Sequence, residues 1–461
     1  MEKLRQDYLK ASIFTALLLL FIGGRLCAQT SEPLFDGKTL KGWKQVAGAA
    51  TYQVENGEIV GTTVAGTGNS FLVTEKDYSD FILELDLKLE SPKGNSGVQV
   101  RSHYDPSGNK GKGKVYGRQA ELDPTSRQWS GGVYDEGRRE WLYPISLNPS
   151  AGTAYKADAY NHLKIECIGN VMKTWINGKP AAYVIDTIDR SGFIGLQVHG
   201  ITDPSEAGKK VYFKNIQIKT AGLKPVAFPS GIYVVNYQSN ILSNYEITDG
   251  WKLLFDGTSS KGWRSAHATA FPVRGWKIGG GTISVLPAEG KESTNGGDIV
   301  TEEEFSAFDL SFEFKLTPGA NSGVKYFVTL KEQSSGSAIG LEYQVLDDQL
   351  HPDAKLGRDG NRTLASLYDL ITANKTSRFI HPIGSWNTGR VVVYPDNKVE
   401  HYLNGVKVLE YQRGSAAFRE LVANSKYKDW KDFGEAKSGR ILLQDHGNQV
   451  SYRSIKVRRL K

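Results

Sequence analysis

The feature that most constrains this chain is that it states one pattern twice. Leu34-Phe35-Asp36-Gly37 followed by Gly42-Trp43 returns as Leu254-Phe255-Asp256-Gly257 followed by Gly262-Trp263, at the same internal spacing. Asn95-Ser96-Gly97-Val98 returns as Asn321-Ser322-Gly323-Val324, Asn177-Gly178 as Asn404-Gly405, and Leu196-Gln197-Val198-His199-Gly200 as Leu443-Gln444-Asp445-His446-Gly447. The landmarks keep their order, so the chain is a tandem duplication. The offset grows from 220 residues (Leu34 to Leu254) to 247 (His199 to His446), so the second copy carries longer loops. A period of roughly 200 residues is too long for a solenoid unit and matches a whole domain.

Alternation of apolar and polar residues runs through both copies. Phe81-Ile82-Leu83-Glu84-Leu85-Asp86-Leu87-Lys88-Leu89 and Phe308-Asp309-Leu310-Ser311-Phe312-Glu313-Phe314-Lys315-Leu316 read as strands with one buried face. Glu55-Asn56-Gly57, Asn177-Gly178 and Asn404-Gly405 are hairpin turn signals, and no long segment sustains helical spacing. The expected fold is all-β: two tandem β-sandwich domains, the first over 32–220 and the second over 238–461. Residues 221–237, with Pro225, Pro229 and Gly231 among apolar residues, are expected to cross a surface as a connector.

Residues 1–28 read as a signal peptide. Lys3, Arg5 and Lys10 precede an apolar run that is too short to span a bilayer, and Leu26-Cys27-Ala28 ends it. The expectation is an exported protein, periplasmic or secreted, with no stable membrane span after cleavage. Arg25-Leu26 is a poor lead-in to a lipidated Cys27, which disfavours a lipoprotein anchor. Cys167 is then the one remaining cysteine, so no internal disulfide forms, and its alternating surroundings make it a buried strand thiol. The net charge of +7 is dilute over 461 residues, and no basic block interleaves with aromatics, which argues against nucleic acid. The 9 Trp, 22 Tyr and 18 Phe suit sugar platforms and sandwich cores alike.

Candidate chemistry lies on the repeated strands. At period two, Asn95, Gly97, Gln99 and Arg101 share one face, and so do Asn321, Gly323, Lys325 and Phe327. The next strand carries Gln119 and Glu121 in the first copy and Glu342 and Gln344 in the second, with amide and carboxylate exchanged. The exchange moves the carboxylate by ~7 Å along a strand. Tyr134 and Tyr368 follow these strands. Gln197-Val198-His199 and Gln444-Asp445-His446 each end an apolar strand, where a histidine can serve as acid, base, ligand or orienter. Asp347, Asp348 and His351 add side chains able to hold a divalent ion (Ca, Mn or Mg), at a spacing that matches no strong metal motif. The wet face of an ordinary antiparallel sheet would show similar polar alternation. No Gly-x-Ser-x-Gly, P-loop or dinucleotide fingerprint occurs.

Taken together, these segments resemble the 3-keto-disaccharide hydrolase domain family. In the second copy the resemblance rests on Trp251 to Gly257, Gly319-Ala320-Asn321-Ser322-Gly323, Glu342-Tyr343-Gln344 to Asp347, Ser385-Trp386-Asn387, His401 to Gly405 and Leu443 to Gly447. The first copy departs, with Gln119-Ala120-Glu121 for Glu-x-Gln and Tyr160-Asn161 for Trp-Asn. The resemblance implies a concanavalin A/laminin G-like jelly roll and cleavage of glycosides already oxidised at C3. A ketone at C3 acidifies the proton on C2, so a carboxylate or histidine base can remove it and the C1 substituent can leave by elimination, with water added afterwards. Such a substrate implies a separate sugar 3-dehydrogenase as a functional partner.

On this reading Glu342 and His446 act as base and acid, Lys325 or a metal stabilises the enolate, and Asn321, Gln344, Gln444 and Tyr368 hold the sugar. Glu121, His199 and Arg101, with Asn95, Gln119, Gln197 and Tyr134, are the first copy's counterparts. The second copy keeps the family's order and is expected to be the catalytic one. A conventional glycoside hydrolase, which needs two opposed carboxylates, and a non-catalytic sugar-binding protein are the alternatives.

Overall fold

A computed structural model describes residues 31–330 and 338–461. The expected signal peptide, with Cys27, lies outside the described residues. Each copy folds as two antiparallel sheets packed face to face. In the first domain one sheet runs in the order Lys179–Ile185, Val171–Ile176, Asn161–Ile168, Phe81–Leu89, Lys210–Lys219, Glu58–Thr62, Thr51–Glu55. The opposing sheet runs Glu140–Tyr143, Val133–Glu136, Lys114–Leu122, Ser96–Asp105, Phe193–Val198, Ser70–Thr74, Trp43–Val46.

The second domain repeats this plan. Val406–Gln412, Lys398–Leu403, Trp386–Val393, Phe308–Leu316, Val450–Arg459, Thr282–Val285 and Trp276–Gly279 form its larger sheet. Leu341–Leu346, Asn321–Val328, Arg440–Leu443, Ile299–Thr301 and Trp263–Ser265 form the smaller one. The alternation in the sequence explains the burial. Phe308, Leu310, Phe312, Phe314 and Leu316 all lie in the core between the sheets, as do Phe81, Leu83, Leu85, Leu87 and Leu89 in the first copy. Each such side chain contributes on the order of 1.5–3 kcal/mol when fully buried. Cys167 is fully buried in the first core, and burial raises its thiol above the ordinary value.

The copies differ in two places that matter for the site. The first continues its smaller sheet with Val133–Glu136 and Glu140–Tyr143, whereas the second follows Leu341–Leu346 with turns and loops. Between the Asn-Gly turn and the His-Gly strand end the offset rises from 227 residues (Asn177 to Asn404) to 247 (Leu196 to Leu443). That added length contains the helix Ala416–Ala423 and the loop after it.

The segment 221–237 lies along the first domain: Val226 N donates to Glu166 Oε2 at 2.7 Å, Phe228 packs edge-on against Trp175 and Tyr183, and Val235–Asn236 pairs in parallel with Val184 and Ile185. The domains also touch directly, through Ser146 Oγ donating to Gly405 O at 2.6 Å, Trp129 packing on Phe379, and Arg378 pairing with Glu140 at 3.2 Å. Among the described residues no helix is long and apolar enough to cross a membrane.

Candidate active site

In the second domain Lys325 and Glu342 are direct cross-strand partners, so both side chains leave the same face of the smaller sheet. Gly323 stands opposite Gln344 two pairs along, on the same face. A Cβ at Gly323 would come within 2.1 Å of Glu342 Oε1, so only glycine lets the carboxylate lie over that strand. The alternation ends at a bulge: Phe327 has φ +56° and turns into the core with Phe308 and Tyr326, leaving Lys325 as the last residue of the polar row.

These strands floor a pocket of about 200 Å³ lined by Asn321, Lys325, Glu342, Gln344, Tyr368, Gln444 and His446, with Glu292, Asp353, Lys426 and Tyr427. Lys325 Nζ is 4.0 Å from Glu342 Oε2 and 3.9 Å from Asp298 Oδ2, and donates to Ala338 O at 3.0 Å. Gln344, with its amide turned to donate, reaches Glu342 Oε1 at 3.2 Å and Ser322 O at 2.9 Å. Burial pushes the Glu342 carboxyl up to about 6 against the opposing pull of Lys325 and Lys426. Burial likewise lowers the Lys426 ammonium, which sits 4.2 Å over the Tyr368 ring. Tyr368 donates to Asp353 Oδ2 at 2.8 Å, and Arg362 ties Asp353 to Asp369.

Of the buried side-chain polar atoms that lack a partner among the described residues, Gln444 Oε1 and His446 Nδ1 belong to residues of this pocket. Gln444 Nε2 is engaged with Glu292 at 2.9 Å. Buried polar groups are rarely left unsatisfied, so a water or ligand in the pocket would complete the network at these atoms. Asp445, beside His446 in sequence, turns away. Its carboxylate accepts from the backbone of Gly296, Gly297 and Gly447 and fixes the loop.

The first copy places its residues differently. Gln99 stands opposite Gln119, and Gly97 opposite Glu121, so an amide pair occupies the place of Lys325 and Glu342. Gln99 Nε2 donates to Gln119 Oε1 at 2.8 Å; Asn95 and Gln119 donate to Glu121 at 2.6 and 2.7 Å; Gln119 Nε2 is 3.3 Å from Gln197 Oε1. Burial raises the Glu121 carboxyl to about 7. Tyr134 continues this row opposite Gln119 and packs against Trp141. His199 Nδ1 is taken by Gly200 O at 2.7 Å, and burial lowers its ring below the ordinary value.

Arg101 is a correction to the sequence-based expectation. It is fully buried, and its guanidinium donates to Ser79 O, Gly169 O and Asp80 Oδ1 at 2.5, 2.7 and 2.8 Å, away from Glu121's cluster. Its φ of +50° is the physical reason: the bulge that turns Phe327 inward turns Arg101 off the polar row as well. The first copy's row therefore has no counterpart of Lys325.

Asp347, Asp348 and His351 do not converge as a ligand set. Asp347 accepts from the backbone of Gly319, Gln349 and Leu350; Asp348 accepts from Leu364 N and pairs with Lys375; His351 Nδ1 accepts from Asp353 N. Among the described residues no group of three His, Cys, Asp or Glu is placed to hold a metal. Sequence reasoning missed Glu292, Asp353, Lys426 and Tyr427. For Lys426 and Tyr427 the signal was the extra loop length of the second copy between Asn404 and Leu443, which supplies both.

A 3-keto-disaccharide hydrolase of Bacteroides thetaiotaomicron is 36% identical over 231 residues, 46% of this chain and 78% of that protein. A Parabacteroides distasonis crystal structure carrying a glycosyl-hydrolase designation is 27% identical, covering 49% of this chain and all of that one, at a TM-score of 0.43. The model of the 3-keto-alpha-glucoside-1,2-lyase-like domain matches residues 30–219 and again 250–458. The chain belongs to the 3-keto-alpha-glucoside-1,2-lyase-like domain family and carries two copies of that domain.

Proposed function

We propose that the second domain cleaves glycosides oxidised at C3, with Glu342 as the base that removes the C2 proton. The observation that carries this reading is the buried Lys325–Glu342 pair, a carboxyl raised to about 6 beside an ammonium 4.0 Å away. A carboxylate with that value is a stronger base than an ordinary one yet ionised at neutral pH. As C2–H breaks, the proton goes to Glu342 and negative charge moves to the ketone oxygen, where Lys325 or Lys426 balances it. Collapse of the enolate expels the C1 oxygen, which takes a proton from His446, and water then adds across C1 and C2. Asn321, Gln344 and Gln444 hold ring hydroxyls, and a separate sugar 3-dehydrogenase supplies the ketone. Export to the periplasm or medium belongs to this same proposal.

A specific observation favours a second reading. Glu292 shares the pocket with Glu342, so two carboxylates are available for conventional glycoside hydrolysis. Incubation with a 3-keto-glucoside and with its unoxidised parent separates the two. Release of aglycone from the oxidised substrate alone is expected; release from the parent alone overturns the proposal.

A further inference from the structure

A cavity larger than the active-site pocket lies between the domains, away from Glu342. It measures about 530 Å³, against about 200 Å³ for the active-site pocket, and falls within the range of small-ligand sites. One wall is the outer face of the second domain's larger sheet. Ser311, Glu313, Thr388, Arg390, Tyr402 and Lys456 project there from four neighbouring strands whose alternate residues fill the core. The other wall is the first domain's edge strand Glu140–Tyr143 together with Tyr233 and Tyr237 of the following segment.

We propose that this interdomain cleft is a second, non-catalytic carbohydrate site that takes a neutral oligosaccharide. Charge argues for neutrality. Every cation of the lining is matched by an acid: Arg138 and Arg139 by Asp135, Arg378 by Glu140, Arg390 by Asp309 at 2.7 Å, Arg453 by Glu313 at 2.9 Å and Lys456 by Glu246 at 2.5 Å. An anion would have to break these pairs. A hydroxylated neutral ligand would use their remaining N–H groups and lone pairs with no change in charge. Aromatic rings supply the apolar faces that pyranose C–H groups need: Tyr237, Phe379 and Trp386 line the cavity and are partly exposed, Tyr237 to 39%.

Trp141 also points to a ligand. Its indole Nε1 is buried and has no partner among the described residues, although the ring is 92% buried against Trp129 and Tyr134. Trp141 ends the row Gln99, Gln119, Tyr134, Trp141 across the first domain's smaller sheet. The first copy's polar face thus leads into the cleft, which gives that copy a binding role that needs no Lys325 counterpart.

The site does not depend on which bond the Glu342 pocket breaks, since binding is measured without turnover. The test titrates the full chain with maltose, cellobiose and trehalose, and with a digalacturonate as charged control, by calorimetry. Tyr237→Ala removes an exposed platform, and Thr388→Trp fills the cleft from the other wall. Expected are saturable binding of at least one neutral disaccharide, weakened about tenfold by both substitutions, and unchanged turnover of a small 3-keto-glucoside, which also shows that the variants fold. No binding by any neutral disaccharide, binding that survives both substitutions, or binding of the digalacturonate alone overturns the proposal.

Discussion

Lys325 and Glu342 occupy one rung of the second domain's smaller sheet with Nζ and Oε2 4.0 Å apart, and the same rung of the first domain holds Gln99 and Gln119. An ion pair in one copy and an amide pair in the other, on the same scaffold, set the two domains' chemistry apart.

The pair fixes the pH dependence. Glu342 must be ionised to accept a proton, and burial holds its carboxyl at about 6. Turnover, read as kcat/KM on a 3-keto-glucoside, is expected to rise with pH through about 6 and level off above it. A rate that stays flat from pH 5 to 8 removes Glu342 from the role of base.

Lys325→Met tests the cation separately. Lys325 lowers the Glu342 carboxyl, so its loss is expected to move the acid limb of the profile to higher pH. The maximal rate is also expected to fall, by about 10²-fold if Lys325 stabilises the enolate. A fall in rate with an unmoved limb would show that the ammonium serves the transition state without acting on Glu342.

Glu121 makes a prediction about stability. Its folded value of about 7 lies above the ordinary carboxyl value of 4.5, because burial outweighs the bonds from Asn95 and Gln119. Between those two values the native state holds more protons than the unfolded chain, so stability is full below the lower one and falls as pH rises through the upper one. The loss is at most about 3 kcal/mol. Glu121→Gln removes the titrating group, so its urea midpoint is expected to change less between pH 5 and pH 8 than that of the wild type. Equal slopes for the two proteins contradict the shifted value.

Much of the fold was legible because it rests on local rules. Alternation named the core of Phe308–Leu316, and the Asn-Gly pairs named the hairpins. The most repeated landmarks turn out to be structural. Asp36 and Asp256 accept backbone N–H groups of the turns that follow them, while Trp43 and Trp263 donate to Leu34 O and Leu254 O. His401 is fully buried, bonded to Tyr326, and held neutral by a value near 4. The polar row of the second copy was legible from period two. Arg101 was misplaced because a bulge is invisible to a period-two count, and Glu292 and Lys426 were missed because loops carry no period at all.

The Trp-Asn and Asn-Gly landmarks give a structural prediction. Asn177 Nδ2 donates to Asn161 Oδ1 at 2.8 Å, and Asn404 Nδ2 donates to Asn387 Oδ1 at 2.7 Å, so each pair locks a hairpin end in the same way. Asn161 also bonds the backbone of Lys156 and Ala159. Asn161→Ala is expected to cost about 1–3 kcal/mol in denaturant unfolding with kcat/KM per folded molecule unchanged. A catalytic loss at full stability would move Asn161 from scaffold to site.

The asymmetry of the copies supports the last prediction, that turnover belongs to the second domain. Glu342 has Lys325 opposite and Lys426 nearby, while Glu121 lies opposite Gly97 with both oxygens taken by amides. The space beside Gln119 is filled by a further strand carrying Tyr134, where the second copy has an open pocket. Glu342→Gln in the full chain is therefore expected to lower kcat on a 3-keto-glucoside by about 10²–10⁴-fold with binding retained. Glu121→Gln should leave kcat within about twofold of the wild type, a barrier change of about 0.4 kcal/mol or less. The converse pattern, an inactive Glu121→Gln and an active Glu342→Gln, would place the chemistry in the first domain and make the Lys325 pair a structural feature.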